Sequence, residues 1–279
     1  MKRLLLSIML SAAALTSAVA QNSHDKGIYT DLRAELMGTS KDDISNVVVI
    51  TAKYFLETPY VAHTLDSNSV EQLVVHLDRF DCMTFVETVL ALSIDYMSPD
   101  PDYANFENIL QKIRYRGGVI GGYPSRLHYT SDWIYDNIQK QTVEDQTKLL
   151  GGLPFRPTLN YMSTHPQSYA QLKDNSAATD SMRTIEKQIN LRKSMNYIPK
   201  YKVASIEKKI NSGDIIMITT STPGLDYAHV GFAIREGNEL KFLHASSDQK
   251  KVVVSSSWLH TYLNGVKNFT GITVLKAKY

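Results

Sequence analysis

The chain has 279 residues, 43% of them hydrophobic and 21% charged, with 30 lysines and arginines against 28 aspartates and glutamates. That near balance excludes a protein that holds nucleic acid or anionic membrane through bulk charge. A single cysteine excludes an internal disulfide, so the fold must rest on its core.

Taken in order, residues 1–20 read as a signal peptide. Lys2 and Arg3 form a basic start, Leu4 to Leu15 a short apolar core, and Ala18-Val19-Ala20 a small-residue cleavage site before Gln21. The apolar run is too short to span a membrane. An exported protein is therefore expected, periplasmic or extracellular, with no integral membrane segment once the signal is removed. Removal of Lys2 and Arg3 leaves 28 basic residues against 28 acidic ones.

Residues 21–279 are expected to form a single domain with an inserted helical and loop region at about 97–212. Residues 21–42 are polar, with a weak helical patch near Leu32-Met37. Asp42 and Asp43 can cap a helix from Ile44 to Leu56, which Thr58-Pro59-Tyr60 ends, because the residue before proline avoids helix. Glu71 to Leu77 is expected to be a short strand. The run Val86, Val89, Leu90, Ala91, Leu92 and Ile94 has the spacing of a helix with one buried face. Cys82 then stands at or next to the N-terminus of that helix. A turn at Ser98–Asp102 leads to a helix over 103–115 and to the glycines 117, 118, 121 and 122, which lack the endings of a phosphate loop. Thr130 or Ser131 can cap a helix through Trp133 and Ile138. Residues 151–180 have little periodicity and are expected to wrap the surface, and 181–194 reads as a solvated helix.

From Gly213 the texture changes to strands. Ile215–Thr219 and His229–Ile234 are followed by a hairpin turn at Gly237-Asn238, then by Leu240–His244, Lys251–Val254 and Ile272–Leu275. Helices first and an antiparallel sheet afterwards indicate an α+β fold.

A lone cysteine is commonly a small buried hydrophobe. At a helix N-terminus, however, unpaired N–H groups and the helix dipole favour a thiolate, and an unpaired thiol in an oxidising compartment invites a reactive role. A cysteine nucleophile needs a base and a group that orients the base. Of the eight histidines, His229 opens one hairpin strand and His244 closes the next, so the two come roughly opposite each other. One imidazole can then fix the tautomer of the other. Both residues also fit as ordinary strand-end polar groups. The histidines show no His-x-x-x-His pair, so no metal site is assigned and a zinc hydrolase stays a minor alternative. A serine elbow, Gly-x-Ser-x-Gly, is absent.

Thr58-Pro59-Tyr60, Asp81-Cys82, Gly213-Asp214-Ile215-Ile216, His229-Val230-Gly231-Phe232 and Phe242–Ser247 together resemble the NlpC/p60 superfamily of papain-like cell-wall cysteine hydrolases. Where typical members have Asp-Cys-Ser-Gly, this chain has Phe-Asp-Cys-Met-Thr-Phe-Val-Glu. With Ser125–Tyr129, Asp132-Trp133-Ile134 and Tyr197–Lys200, that variation resembles a narrower branch, once a domain of unknown function and associated with N-acetylmuramoyl-L-alanine amidase activity. The resemblance implies a papain-like fold, with the nucleophile helix packed on the antiparallel sheet. It implies Cys82 as nucleophile, His229 as base, His244 as orienter and Tyr60 as an oxyanion donor, without a cofactor. The implied partner is peptidoglycan or a muropeptide, cleaved between N-acetylmuramic acid and L-alanine. Alternatives are the D-glutamyl-diamino acid bond and a non-catalytic wall-binding module; oligomeric state is left open. From side-chain chemistry, Arg126 is expected to bind a carboxylate, His128 to donate to a carbonyl, Asp132 to bind an amine or hydroxyl, and Trp133 to pack on a sugar or anchor its helix.

Overall fold

A computed structural model of the chain describes residues 21–66 and 68–279. The expected signal segment, 1–20, lies outside the described residues. Among those residues no helix is long and apolar enough to cross a membrane.

The N-terminal part is helical. Residues 21–35 form α1, followed by α2 (Ile44–Tyr54), α3 (Cys82–Met97) and α4 (Tyr103–Arg114). Asp43 caps α2 by accepting from the N–H of Ser45. The centre of this layer is α3, buried without a break from Thr84 to Asp95. A helix that is apolar on every side has to be enclosed, and α1, α2 and α4 enclose this one against the sheet. Each fully buried side chain such as Phe85, Val89 or Leu90 contributes roughly 1.5–3 kcal/mol relative to exposure. The polar groups on α3 are paired: Glu87 with Arg114 at 2.6 Å, and Asp95 with the Tyr29 hydroxyl at 2.6 Å.

The expected strand over 71–77 is irregular backbone. Its polar groups are served by side chains instead: Arg114 donates to Val74 O at 2.6 Å, Tyr115 to Gln72 O at 2.9 Å, and the Leu77 N–H to Asp25 at 2.9 Å. With those partners met, no neighbouring strand is needed.

Next come α5 (Thr130–Gln139), β1 (Val143–Asp145), β2 (Leu153–Phe155), α6 (Tyr161–Thr164), α7 (Ser176–Asn190), β3 (Met195–Pro199) and α8 (Lys200–Ile206). The helix α7 starts earlier than its sequence pattern indicates, because Asn175 caps it. It buries Thr179, Met182, Glu186 and Ile189 at helical spacing, against a small core with Tyr123, Tyr129, Leu159 and Met162. The cap of α5 comes from neither Thr130 nor Ser131: Asp226, 95 residues away, accepts the Ser131 N–H at 2.8 Å.

The C-terminal part supplies β4 (Ile215–Thr220), β5 (Tyr227–Glu236), β6 (Glu239–Ser246), β7 (Lys251–Val254), α9 (Leu259–Asn264) and β8 (Phe269–Ala277). The sheet runs β2-β3-β8-β4-β5-β6-β7, with β1 also paired to β8 and all pairings antiparallel. The 97–212 stretch is thus woven into the sheet through three short strands. One sheet face, with Ile215, Met217, Phe232 and Leu243, packs on α3 and its neighbours. The other, with Ile216, Ile218, Leu240, Phe242 and Val274, is covered by residues of α8 and α9.

Candidate active site

Cys82 is the first residue of α3, placed there by Asp81. The Asp81 carboxylate accepts the Thr84 N–H at 2.8 Å, and the Thr84 hydroxyl accepts the Asp81 N–H at 2.9 Å. This reciprocal cap sets the angle at which the chain enters the helix. The segment before it is held by backbone bonds. The Phe80 N–H donates to Pro59 O at 3.0 Å, the Val61 N–H to Phe80 O at 2.8 Å, and the Tyr60 N–H to Lys250 O at 2.8 Å. Tyr60 is thereby brought near Cys82 although 22 positions separate them in the chain.

The sheet opens where the thiol meets it. Pairing of β5 with β6 runs from Glu236↔Glu239 to Phe232↔Leu243 and stops there, while β6 goes on to pair with β7. The Ala233 N–H donates to Asp214 O and so points to the β4 side. Val230, three residues away, points its N–H in the opposite direction, into the gap beside β6. That N–H acts on the Cys82 thiol and lowers its proton affinity.

His229 and His244 lie on the far sheet face. His229 pairs with Ile218, whose side chain belongs to the α8/α9 side. The Nε2 of His229 and Nδ1 of His244 are 2.7 Å apart. The register makes them diagonal neighbours, not directly opposite, since Gly231 and not His229 stands across from His244. Diagonal neighbours in a sheet are within reach of long or aromatic side chains. Phe242 stacks on His244 at 4.7 Å and meets His229 edge-on at 5.5 Å. It has room because residue 231 is glycine: a Cβ there would fall 2.6 Å from Leu243 O and 2.8 Å from the Phe242 ring.

Electrostatics sets the resting state. Burial pushes the Cys82 thiol up to about 12; the Asp81 carboxylate adds to this, and the N–H groups of Val230, Cys82 and Met83 only partly oppose it. The thiolate expected from the helix terminus is therefore not the resting form. Burial lowers His229 to about 4, against the opposing charge of Asp248, and lowers His244 to about 3, with His229 adding to the effect. Both imidazoles are neutral near pH 7. Tyr60 is raised to about 12 by burial, then by Cys82 and Asp81, so its hydroxyl keeps its proton and can donate.

Tyr262 was not anticipated from the sequence. It lies on α9 with its ring 5.3 Å from that of His244, and burial, Asp248 and Cys82 raise its hydroxyl to about 12. No motif marks it, because α9 has only six residues and weak periodicity.

The four residues expected to hold substrate have different fates. Arg126 and His128 line a cavity of about 190 Å³ with Asp81, Met83 and Thr84 of the α3 N-terminus. Arg126 is 7% exposed, paired with Asp66 at 2.8 Å, and lies over the Tyr123 ring. His128 spends its donor on the protein's own backbone. Its Nε2 is 2.8 Å from Tyr123 O and must be the N–H donor there. Burial and then Arg126 lower it to about 3, so the ring is neutral and Nδ1 is left as an acceptor. Asp132 is buried between Arg116 at 2.6 Å and Arg192 at 2.7 Å, with one arginine against each carboxylate oxygen. Trp133 is 0% exposed and anchors α5 in the core, offering no face to a sugar. Among the described residues no group of three or more His, Cys, Asp or Glu is gathered as metal ligands would be.

Similar proteins bear on this geometry. A Bacteroides uniformis crystal structure described as an N-acetylmuramoyl-L-alanine amidase is 41% identical, with a TM-score of 0.81, and the match covers 85% of this chain and 99% of that one. A Bacteroides fragilis structure described as a putative xylanase is also 41% identical, with a TM-score of 0.78 and coverage of 81% and 99%. A Legionella pneumophila protein, 24% identical with a TM-score of 0.73 over 94% and 97% of the two chains, shares the fold. No curated protein sequence matches the chain closely enough to count as a relative. The sequence profile described as AmiA-like, N-acetylmuramoyl-L-alanine amidase-like, matches residues 50–272. With four-fifths of its length matched, the chain belongs to the N-acetylmuramoyl-L-alanine amidase-like family.

Proposed function

We propose that the protein is an exported cysteine amidase of the NlpC/p60 superfamily, papain-like in fold. It hydrolyses the bond between N-acetylmuramic acid and L-alanine in peptidoglycan or its fragments. The observation that carries the cysteine mechanism is the 2.7 Å pair of His229 and His244, with Val230, the neighbour of His229, acting on the Cys82 thiol at the start of α3. Family membership and the amidase described from B. uniformis support the choice of bond.

The tautomer follows from the geometry. For His229 to act as base, the ring nitrogen turned to the thiol must carry a lone pair. Neutral His229 then bears its proton on Nε2 and donates it to His244 Nδ1. When His229 takes the thiol proton it becomes an imidazolium, and the same bond to His244 stabilises the charge. Because the resting thiol is protonated, deprotonation accompanies attack on the carbonyl. The sulfur–carbon bond forms as the carbonyl π electrons move to oxygen, where the Tyr60 hydroxyl and the Cys82 N–H donate to the oxyanion. Collapse breaks the carbon–nitrogen bond, His229 returns its proton to the departing nitrogen, and water releases the thioester as a carboxylic acid.

Mass spectrometry of muropeptides digested by the protein tests the bond. Lactyl-sugar with an intact stem peptide is the expected product. A truncated stem still attached to the sugar would assign the D-glutamyl-diamino acid bond instead. Cys82→Ala and iodoacetamide are each expected to abolish turnover. Activity that survives both and is lost to a chelator would replace the thiol mechanism with a zinc one.

A further inference from the structure

Cys82 is flanked in the chain by residues that face a cavity. Asp81 before it, and Met83 and Thr84 after it, line a space of about 190 Å³ that also takes in Arg126 and His128. Each residue of a helix rises about 1.5 Å, so these neighbours put the cavity within about one turn of Cys82. Its apolar wall includes Leu65, Leu127 and the rings of Tyr123 and Tyr169. A cavity of roughly 150 Å³ already admits benzene, so this one has room for a small organic group.

A carboxylate is the expected partner of Arg126 by side-chain chemistry, but the charges around it disfavour one. Both guanidinium groups on the wall are already matched, Arg126 with Asp66 at 2.8 Å and Arg114 with Glu87 at 2.6 Å. Glu71 stands a further 3.5 Å from Arg126 Nε, and Asp81 adds its own carboxylate to the wall. An entering anion would find no unmatched cation, and a buried charge without a partner is costly. Two polar atoms are nevertheless left over. The contacts of Arg126 with Asp66 and Glu71 run through Nη2 and Nε, and its Nη1 donates to no described residue. His128 spends Nε2 on Tyr123 O, which leaves Nδ1 as an acceptor with no partner among the described residues. Both side chains pack on the Tyr123 ring, the guanidinium at 5.0 Å and the imidazole at 4.3 Å, and are held close together by it.

We propose that this cavity is a specificity pocket for a neutral secondary amide bearing a small apolar group, whose carbonyl accepts from Arg126 and whose N–H donates to His128 Nδ1. A carboxylate has no donor for His128, and an ammonium has no acceptor for Arg126. An isostere without the N–H leaves a polar group of the pocket unpaired, which is how such a pocket discriminates. The inference rests on the amidase reading only for the source of the amide. A muropeptide carries one on each side of the scissile bond, in the acetamido group of the sugar and in the first peptide bond of the stem.

The test titrates the whole protein, with isotope-labelled histidine rings, by NMR. The probes are N-methylacetamide, methyl acetate, which has nearly the same shape but no N–H, and acetate. The amide is expected to move the His128 Nδ1 resonance and to bind about five-fold more tightly than the ester, the worth of one net hydrogen bond. Acetate is expected to bind most weakly. His128→Phe keeps a ring on Tyr123 but has no Nδ1, and is expected to bind amide and ester alike. Arg126→Lys keeps the charge and is expected to weaken both. Equal binding of amide and ester by the unaltered protein, an unmoved Nδ1 resonance, or tightest binding of acetate overturns the proposal, and none of these readings depends on a variant. N-acetylmuramic acid and L-alanyl-D-isoglutamine then show which half of the substrate supplies the amide. A pocket that responds to N-methylacetamide but to neither of these would overturn its link to the proposed reaction and leave the amide pocket itself standing.

Discussion

The two faces of the central sheet contribute to the site in opposite ways. On the α3 face the side chains are large, apolar and enclosed, and the buried charges there are paired, as in Glu87 with Arg114. That face holds the one thiol, Cys82, at the very start of its helix. On the α9 face, beside an equally apolar core, lie the titratable rings of His229, His244 and Tyr262, with Phe242 packed among them. Cys82 and His229 thus belong to opposite sides of one sheet. Between them β5 and β6 part after Phe232↔Leu243, and Val230, next to His229, acts through its N–H on the Cys82 thiol. One layer is built for rigidity, the other for orientation, and the break in the ladder connects them.

If this division is right, damage on each side should have its own signature. The largest effect is expected from His229→Ala, which removes the proposed base from the α9 face. Turnover of a muropeptide should fall by about 10²- to 10⁴-fold, the usual contribution of general acid–base catalysis. The thermal midpoint, read in parallel, should change little, since the ring is only partly buried. Arg114→Leu tests the α3 face and should do the reverse. It leaves the Glu87 carboxylate buried without its 2.6 Å partner, and breaking a buried pair in this way costs about 3–5 kcal/mol. Denaturant unfolding would measure that loss. A variant as stable as the parent would show that α3 does not depend on the pair.

A smaller effect is expected at the connection itself. Gly231→Ala puts a methyl group against Leu243 O and the Phe242 ring, which must shift. Overpacking of this kind costs about 1–3 kcal/mol. The displaced Phe242 should also disturb its stack on His244, so turnover and stability should fall together. The mildest expectation concerns pH. His128, His229 and His244 are depressed in the folded protein to about 3, 4 and 3, below the ordinary 6.5. A depressed histidine binds its proton in the unfolded chain before the folded one does, so its stabilising contribution is intact above pH 6.5 and is lost as pH falls toward 4 and below. Asp214, raised to about 6, works in the opposite sense. The melting temperature should therefore decline gradually below pH 6.5, and replacing His128 by Gln should flatten that decline.

Much of the architecture was legible because its signals are local. The cap at Asp43, the proline at 59, the period of α3 and the turn at Gly237 each depend on a few neighbouring residues. The strands β1, β2 and β3 were not legible, since three to five residues carry no measurable alternation and their reason to exist is the distant edge of β8. The mistaken strand at 71–77 has the converse cause: its side-chain pattern fits a strand, but side chains from α1, α4 and Tyr115 meet its backbone groups. The same limit separates the candidate site from its surroundings. Cys82, His229, His244 and Tyr60 stood out by order and spacing. Asp132 and Trp133 did not reveal that Arg116, Arg192 and the core already occupy them.

By itself, then, the sequence determined that a cysteine would begin a buried helix and that two histidines would lie on adjoining strands, because helix caps and strand alternation are written in nearest neighbours. Only the tertiary structure decided what those groups are chemically. Burial, which no local pattern records, keeps the thiol protonated and both imidazoles neutral. A diagonal register, not an opposed one, joins the histidines, and β5 and β6 part beside them. Proton affinity and contact across a sheet depend on everything packed around a group, and that is settled when the chain closes on itself.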